Sequence, residues 1–149
     1  MHRHFDEQIQ ELNGRIMLMG SLAESMVKRA VRTLVERNET LAAEVFAKEE
    51  EVNSLQIEVD DRAVKLTALQ QPVGSDVRFL FIASRIATDL ERVADQAVNI
   101  CQNVHHLLKH PPVAPLVDFP IMADVAEQMV HDSLESLAKK DVVPAEQVL

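Results

Sequence analysis

From Phe5 onward, apolar residues return in steps of mostly four and three: Phe5, Ile9, Leu12, Ile16, Met19, Ala23, Met26, Ala30 and Leu34. That period predicts one amphipathic helix over residues 5–37, about 50 Å long at 1.5 Å per residue. A second stripe, Leu41, Val45, Val52, Leu55, Val59, Leu66 and Leu69, predicts a helix over residues 40–70 with Thr40 as its N-cap. Pro72 and Gly74 break it, and Ser75 stands where it can cap the next helix. The third helix, residues 76–109, carries the stripe Ile82, Ile86, Leu90, Val93, Ala97, Ile100 and Val104. Short connections between long helices force antiparallel neighbours. The expectation is an all-α chain whose residues 1–110 form a long antiparallel three-helix bundle with a coiled-coil-like core.

Pro111, Pro112 and Pro115 cannot continue a helix, so residues 111–118 read as a semi-rigid linker. Beyond the linker the chain partly repeats its own first helix. At an offset of 103 residues, Met19, Ala23, Glu24, Met26 and Val27 coincide in type with Met122, Ala126, Glu127, Met129 and Val130. Residues 119–149 are therefore expected to be a second repeat that stops after its first helix, leaving the chain incomplete at its C-terminal side. The expected stripe of that helix is Ile121 or Met122, Val125, Met129 and Leu137. With no further helices to cover it, the stripe should seek a second molecule, and a homo-oligomer is expected.

Polar positions add a second pattern. Glu91, Asp95 and Asn99 stack four residues apart on one side of the third helix, off its predicted apolar stripe. Like charges at Glu91 and Asp95 repel by roughly 0.2–0.5 kcal/mol, a strain that a bound cation would relieve. On the second helix Glu49, Asn53, Gln56 and Asp60 fall within a sector of about 60°. If Glu49 and Asn53 face the same side of the bundle as Glu91 and Asp95, the four residues form a candidate metal site. Oxygen donors without His or Cys favour Mg²⁺, Mn²⁺, Ca²⁺ or iron over structural zinc. The plain alternative is two solvated helix faces.

Lys plus Arg number 15 against 24 Asp plus Glu, a net charge of −9, so nucleic acid is not an expected partner. With only 3 Gly and 3% aromatic residues, turns and sheets are poorly supplied. The single Cys101 allows no disulfide framework and reads as a small buried apolar residue. No apolar secretory segment or membrane span is visible, and the expected compartment is the cytoplasm. His106 and His110 suit the last turn of a helix better than a metal, and Asp89 suits an ion pair with Arg85 and Arg92. No Ser-His-Asp set, phosphate loop or Cys-x-x-Cys is present, so an enzyme is not expected. Direct phosphate binding is not expected either.

Three segments carry a family resemblance. Asp89-Leu-Glu-Arg-Val-Ala-Asp95-Gln-Ala-Val-Asn-Ile resembles the signature helix of the PhoU family. Lys48-Glu-Glu-Glu-Val-Asn-Ser-Leu-Gln-Ile-Glu-Val59 is similar to that family's second helix, and Gln71-Pro-Val-Gly-Ser-Asp-Val-Arg78 to its turn into the third. Residues 5–110 thus resemble one PhoU repeat. The resemblance implies Glu/Asp-x-x-x-Asp pairs that bind multinuclear metal clusters in some members, with Glu49-x-x-x-Asn53 and Glu91-x-x-x-Asp95 at those places. Asn53 departs from the pattern and removes one negative charge. The cations implied are divalent or iron: Fe, Mn, Mg or Zn. The resemblance further implies an adaptor that dampens phosphate uptake and phosphate-starvation signalling through contacts with a phosphate transporter ATPase and a sensor histidine kinase; the homo-oligomer expected from the uncovered stripe is, at its simplest, a homodimer. The alternatives are a metal-binding bundle with carboxylate-bridged ions and a passive structural bundle. A ferritin-like enzyme would need Glu-x-x-His on two helices, and no Glu-x-x-His occurs.

Overall fold

The structure, a computed structural model, describes residues 2–112, 115 and 118–149, with side chains from His4 onward. It consists of α1 (His2–Glu36), α2 (Thr40–Gln70), α3 (Ser75–Leu107), α4 (Asp118–Lys139) and α5 (Val142–Val148). The first three pack pairwise around a fully buried spine that includes Leu12, Ile16, Met19 and Met26 of α1, Val45, Val52 and Val59 of α2, and Leu80 and Val104 of α3.

The turns follow from local chemistry that differs from the expected caps. Arg37, at φ 52°, ends α1, and the Asn38 side-chain oxygen accepts from the Thr40 N–H at 3.0 Å. Asn38 therefore satisfies the first orphan donor of α2, and Thr40 is already helical. Ser75 likewise makes no capping bond and is the first residue of α3, behind Gly74 at φ 63°, a conformation that glycine adopts without strain. The Arg37 guanidinium reaches across to donate to the carbonyls of Leu107 at 3.4 Å and His110 at 2.7 Å, closing the far end of α3.

Two predicted stripes are rotated. Along α3 the buried line runs through Leu80, Ala83, Ala87, Leu90, Ala94, Ala97, Val98, Cys101 and Val104, while Ile82 is exposed and Ile86, Val93 and Ile100 are only half-buried. Three long helices that approach closely leave room for alanine at the centre, so the large branched residues are displaced to the flank. Leu69 at the end of α2 is exposed as well.

Residues 113, 114, 116 and 117 of the expected linker lie outside the described residues, and α4 begins at Asp118, inside the expected linker span. Helix α4 lies against α1 of its own bundle. Its buried residues are Ala123 and Leu134, with Val130 and Leu137 packed beside them against the bundle core. Of the expected stripe only Leu137 packs inward, while Ile121, Met122, Val125 and Met129 are exposed. Leu134 decides the seating. It presses on α1 at Gly20, where an added Cβ would overlap the Leu134 Cδ1. A helix without a side chain at that position lets the two backbones close up. The short α5, which the sequence pattern does not predict, folds back on α4, with Asp141 as N-cap accepting from the Val143 N–H at 3.0 Å.

Candidate functional site

Helices α2 and α3 run antiparallel, and the Gln56 side-chain amide donates to the Thr88 hydroxyl at 3.4 Å. This bond joins the two predicted polar rows, because Gln56 belongs to the α2 row and Thr88 precedes Glu91 by less than one turn. Seven residues back along α2 and seven forward along α3, Glu49 comes opposite Asp95. Glu49, Asn53, Glu91 and Asp95 are all half-buried.

Asp95 and Glu49 lie near enough to Glu91 to act on its charge. The Glu91 carboxyl is held above the ordinary glutamate range, first by partial burial, then by the Asp95 charge, by a hydrogen bond between the two carboxyls, and by the Glu49 charge, with Arg92 opposing. Asn53 sits one turn along α2 from Glu49 and shows no described contact with Glu91 or Asp95. Arg92 leans the other way, to Asp89 at 3.4 Å, one of the two pairings expected of Asp89, and none with Arg85 is found among the described residues. Three carboxylates and an amide oxygen are a donor set for hard cations. Among the described residues, however, no group of three or more His, Cys, Asp or Glu is gathered closely enough to hold a metal ion.

The remaining candidates have simpler roles. Cys101 is buried, and burial raises its thiol pKa above the usual value. His106 and His110 are exposed, while His105 pairs with Glu39 at 2.7 Å. One polar cluster escaped the sequence reading. Between α1 and α4 a cleft of about 350 Å³ is lined by Glu24, Lys28, Asp124, Glu127, Gln128 and His131. His131 stands 3.6 Å from Glu24 and Lys28 3.6 Å from Glu127, tying α4 to α1. The only advance signal was that Glu24 and Glu127 match at the repeat offset. A second, apolar groove of about 390 Å³ runs between α3 and α4, lined in part by Ile86, Leu90, Val93, Met129 and Leu137 and reached by Val148 of α5.

With the three-helix bundle and its paired polar rows in place, comparison with known proteins is decisive. The PhoU domain family model matches residues 16–104. The chain belongs to the PhoU family. It is 33% identical over 142 residues to the phosphate-specific transport system accessory protein PhoU homolog 2 of Thermotoga maritima, covering 95% of this chain and 60% of that protein. It is 26% identical over 138 residues to the phosphate-specific transport system accessory protein PhoU of Escherichia coli, covering 93% of this chain and 57% of that one. The crystal structure of PhoU from Pseudomonas aeruginosa superposes with a TM-score of 0.91 at 25% identity, over 96% of this chain and 69% of that one. The chain thus spans about three-fifths of the length of these two curated PhoU relatives. Among the described residues no helix is long and apolar enough to cross a membrane.

Proposed function

We propose that this PhoU-family chain is a cytoplasmic, non-enzymatic adaptor that restrains phosphate uptake and phosphate-starvation signalling, by helix-face contacts with a phosphate transporter ATPase and a sensor histidine kinase. The observation that carries the reading is the match, across more than nine-tenths of the chain, to relatives named as accessory proteins of the phosphate-specific transport system. The test is expression in a bacterium whose own PhoU gene is deleted, grown in ample phosphate with a phosphate-starvation reporter. The reporter should fall, and the transporter ATPase or the kinase should co-purify with the tagged chain. A reporter that stays fully on, with neither protein recovered, overturns the reading.

A second reading concerns the carboxylate face. Glu91 is raised first by partial burial and then by the Asp95 and Glu49 charges, and that nearness of like charges is what supports a cation there. Glu49, Glu91 and Asp95, with Asn53 beside them, would hold divalent or iron cations and thereby neutralise their repulsion. Elemental analysis should find transition metal in the wild type and none in Glu91→Ala/Asp95→Ala, with the helical spectrum unchanged. Equal metal in both proteins removes the assignment.

A further inference from the structure

Helix α4 is attached to the bundle along a single line. Among the described residues its backbone comes near α1 and α5, and near neither α2 nor α3. Of its 22 residues only Ala123 and Leu134 are buried, and α5, which packs on it, buries none. At about 100° per residue, Glu127 and His131 fall on one side of Leu134, and Met129, Val130 and Leu137 on the other. Both sides are open. The polar cleft of about 350 Å³ at Glu127 and His131 parts α4 from α1, and the apolar groove of about 390 Å³ at Met129 and Leu137 parts it from α3. Leu137 also borders a further hollow of about 530 Å³ toward the α2–α3 turn, lined in part by Gly74, Phe79 and Ile82. Between these openings the contact narrows to Leu134 in its seat at Gly20, with Val130 and Leu137 packed beside it. The two ion pairs across the seam are partly solvated and add little. The chain before α4 is fixed at the far end of α3, where Arg37 donates to the carbonyls of Leu107 and His110.

We propose that α4, carrying α5, is a hinged strap that lifts off α1 as a unit while α1, α2 and α3 stay folded. Its root is at His110, held by Arg37, and its catch is Leu134 in the Gly20 seat. The bundle does not need the strap, because its fully buried side chains all come from α1, α2 and α3. The strap does need the bundle. A helix of its length is marginal in water without a packed face, so its amide hydrogen bonds open when it lifts. Closed, the strap turns Val130, Leu134 and Leu137 inward. Open, it presents them to the surroundings together with the bare seat at Gly20. The chain thereby has two states that differ in the apolar surface they show, and whatever holds Leu134 in or out of its seat sets the balance between them. The motion uses no phosphate, metal or partner, so it stands or falls independently of the adaptor reading.

Native-state hydrogen exchange of the whole 149-residue chain, resolved by peptide mass spectrometry, reads the motion. Dilute protein is used, so that self-association through α4 adds no protection. Amides of residues 121–137 should exchange at least about a hundredfold faster than those of residues 12–26, 45–59 and 83–104, as a unit does that opens below the global unfolding free energy. Equal protection in all four segments overturns the proposal. Gly20→Cys/Leu134→Cys supplies a reversible lock. A Cβ at Gly20 would lie 3.2 Å from the Leu134 Cγ, which places the two Cβ atoms within the reach of a disulfide. The buried Cys101 does not compete. Oxidised, the variant should lose the fast exchange of residues 121–137, and reduction should restore it. Fast exchange that persists in the oxidised form means that α4 unwinds in place instead of lifting, and overturns the proposal. Leu134→Ala needs no cross-link. It should speed exchange in residues 121–137 at least about tenfold further and leave residues 45–59 and 83–104 unchanged. Faster exchange in all of them makes α4 part of one cooperative unit with the bundle, and likewise overturns the proposal.

Discussion

Glu91 is the residue at which fold and chemistry meet. Its folded pKa lies above its unfolded one, so the folded chain binds that proton more readily. The stability that Glu91 contributes is present below the ordinary glutamate pKa of about 4.3 and is lost as pH rises through the raised folded value. In cation-free buffer at neutral pH the charged side chain is therefore a local liability. Glu91→Gln is expected to raise stability at pH 7 in EDTA by about 0.2–0.5 kcal/mol, the scale of one relieved like-charge pair. The gain should vanish at about pH 3, where the carboxyl is protonated in both states. Urea denaturation at the two pH values checks this, and a less stable Glu91→Gln at pH 7 would show that a cationic partner holds the carboxylate. Cys101 is the opposite case. Its burial and raised pKa predict that iodoacetamide labels it no faster than the chain unfolds.

At the level of elements, α1 and α4 meet through one glycine and one leucine. Glycine inside a helix ordinarily costs about 0.5–1 kcal/mol relative to alanine. At Gly20 this cost is offset by the seat it makes for Leu134. In a Leu134→Ala background, Gly20→Ala should stabilise the chain by roughly that 0.5–1 kcal/mol. With Leu134 present the gain should shrink or change sign, because the new Cβ would displace the leucine end that occupies its place. A double-mutant cycle measured by thermal unfolding isolates the coupling. Strict additivity would mean that α4 does not rest on Gly20. The Glu24–His131 and Lys28–Glu127 pairs beside it are partly solvated, and they orient the helix more than they hold it.

For the molecule as a whole, the exposed side of α4 matters most. Ile121, Met122 and Val125 are exposed, and Met129, exposed too, lines the apolar groove between α3 and α4. Each such side chain gains roughly 1.5–3 kcal/mol on full burial. The chain as it stands is therefore expected to self-associate through α4, and Met122→Ser/Met129→Ser should shift it toward monomer. Light scattering at rising concentration reads the outcome, and a monodisperse monomer at high concentration contradicts it.

The sequence by itself determined what depends on period and punctuation. The first three helices begin and end within a few residues of their predicted limits, because unbroken 3.6-residue periodicity and the Pro72–Gly74 break leave few other solutions. The family was legible too, since the motifs around Glu49, Gln71 and Glu91 are local strings. Tertiary structure decided which way each helix is turned. On α3 the large residues Ile82, Ile86 and Val93 outweigh alanine in any sequence stripe, yet close packing of three helices puts Ala83, Ala87 and Ala94 at the centre. On α4 two apolar faces compete. The choice of the Leu134 face depended on Gly20, more than a hundred residues away in the chain. The carboxylate rows could each be read along their own helix. That Glu49 lies near Glu91 and Asp95 depends on the rotation and register of α2 against α3, which no single helix encodes.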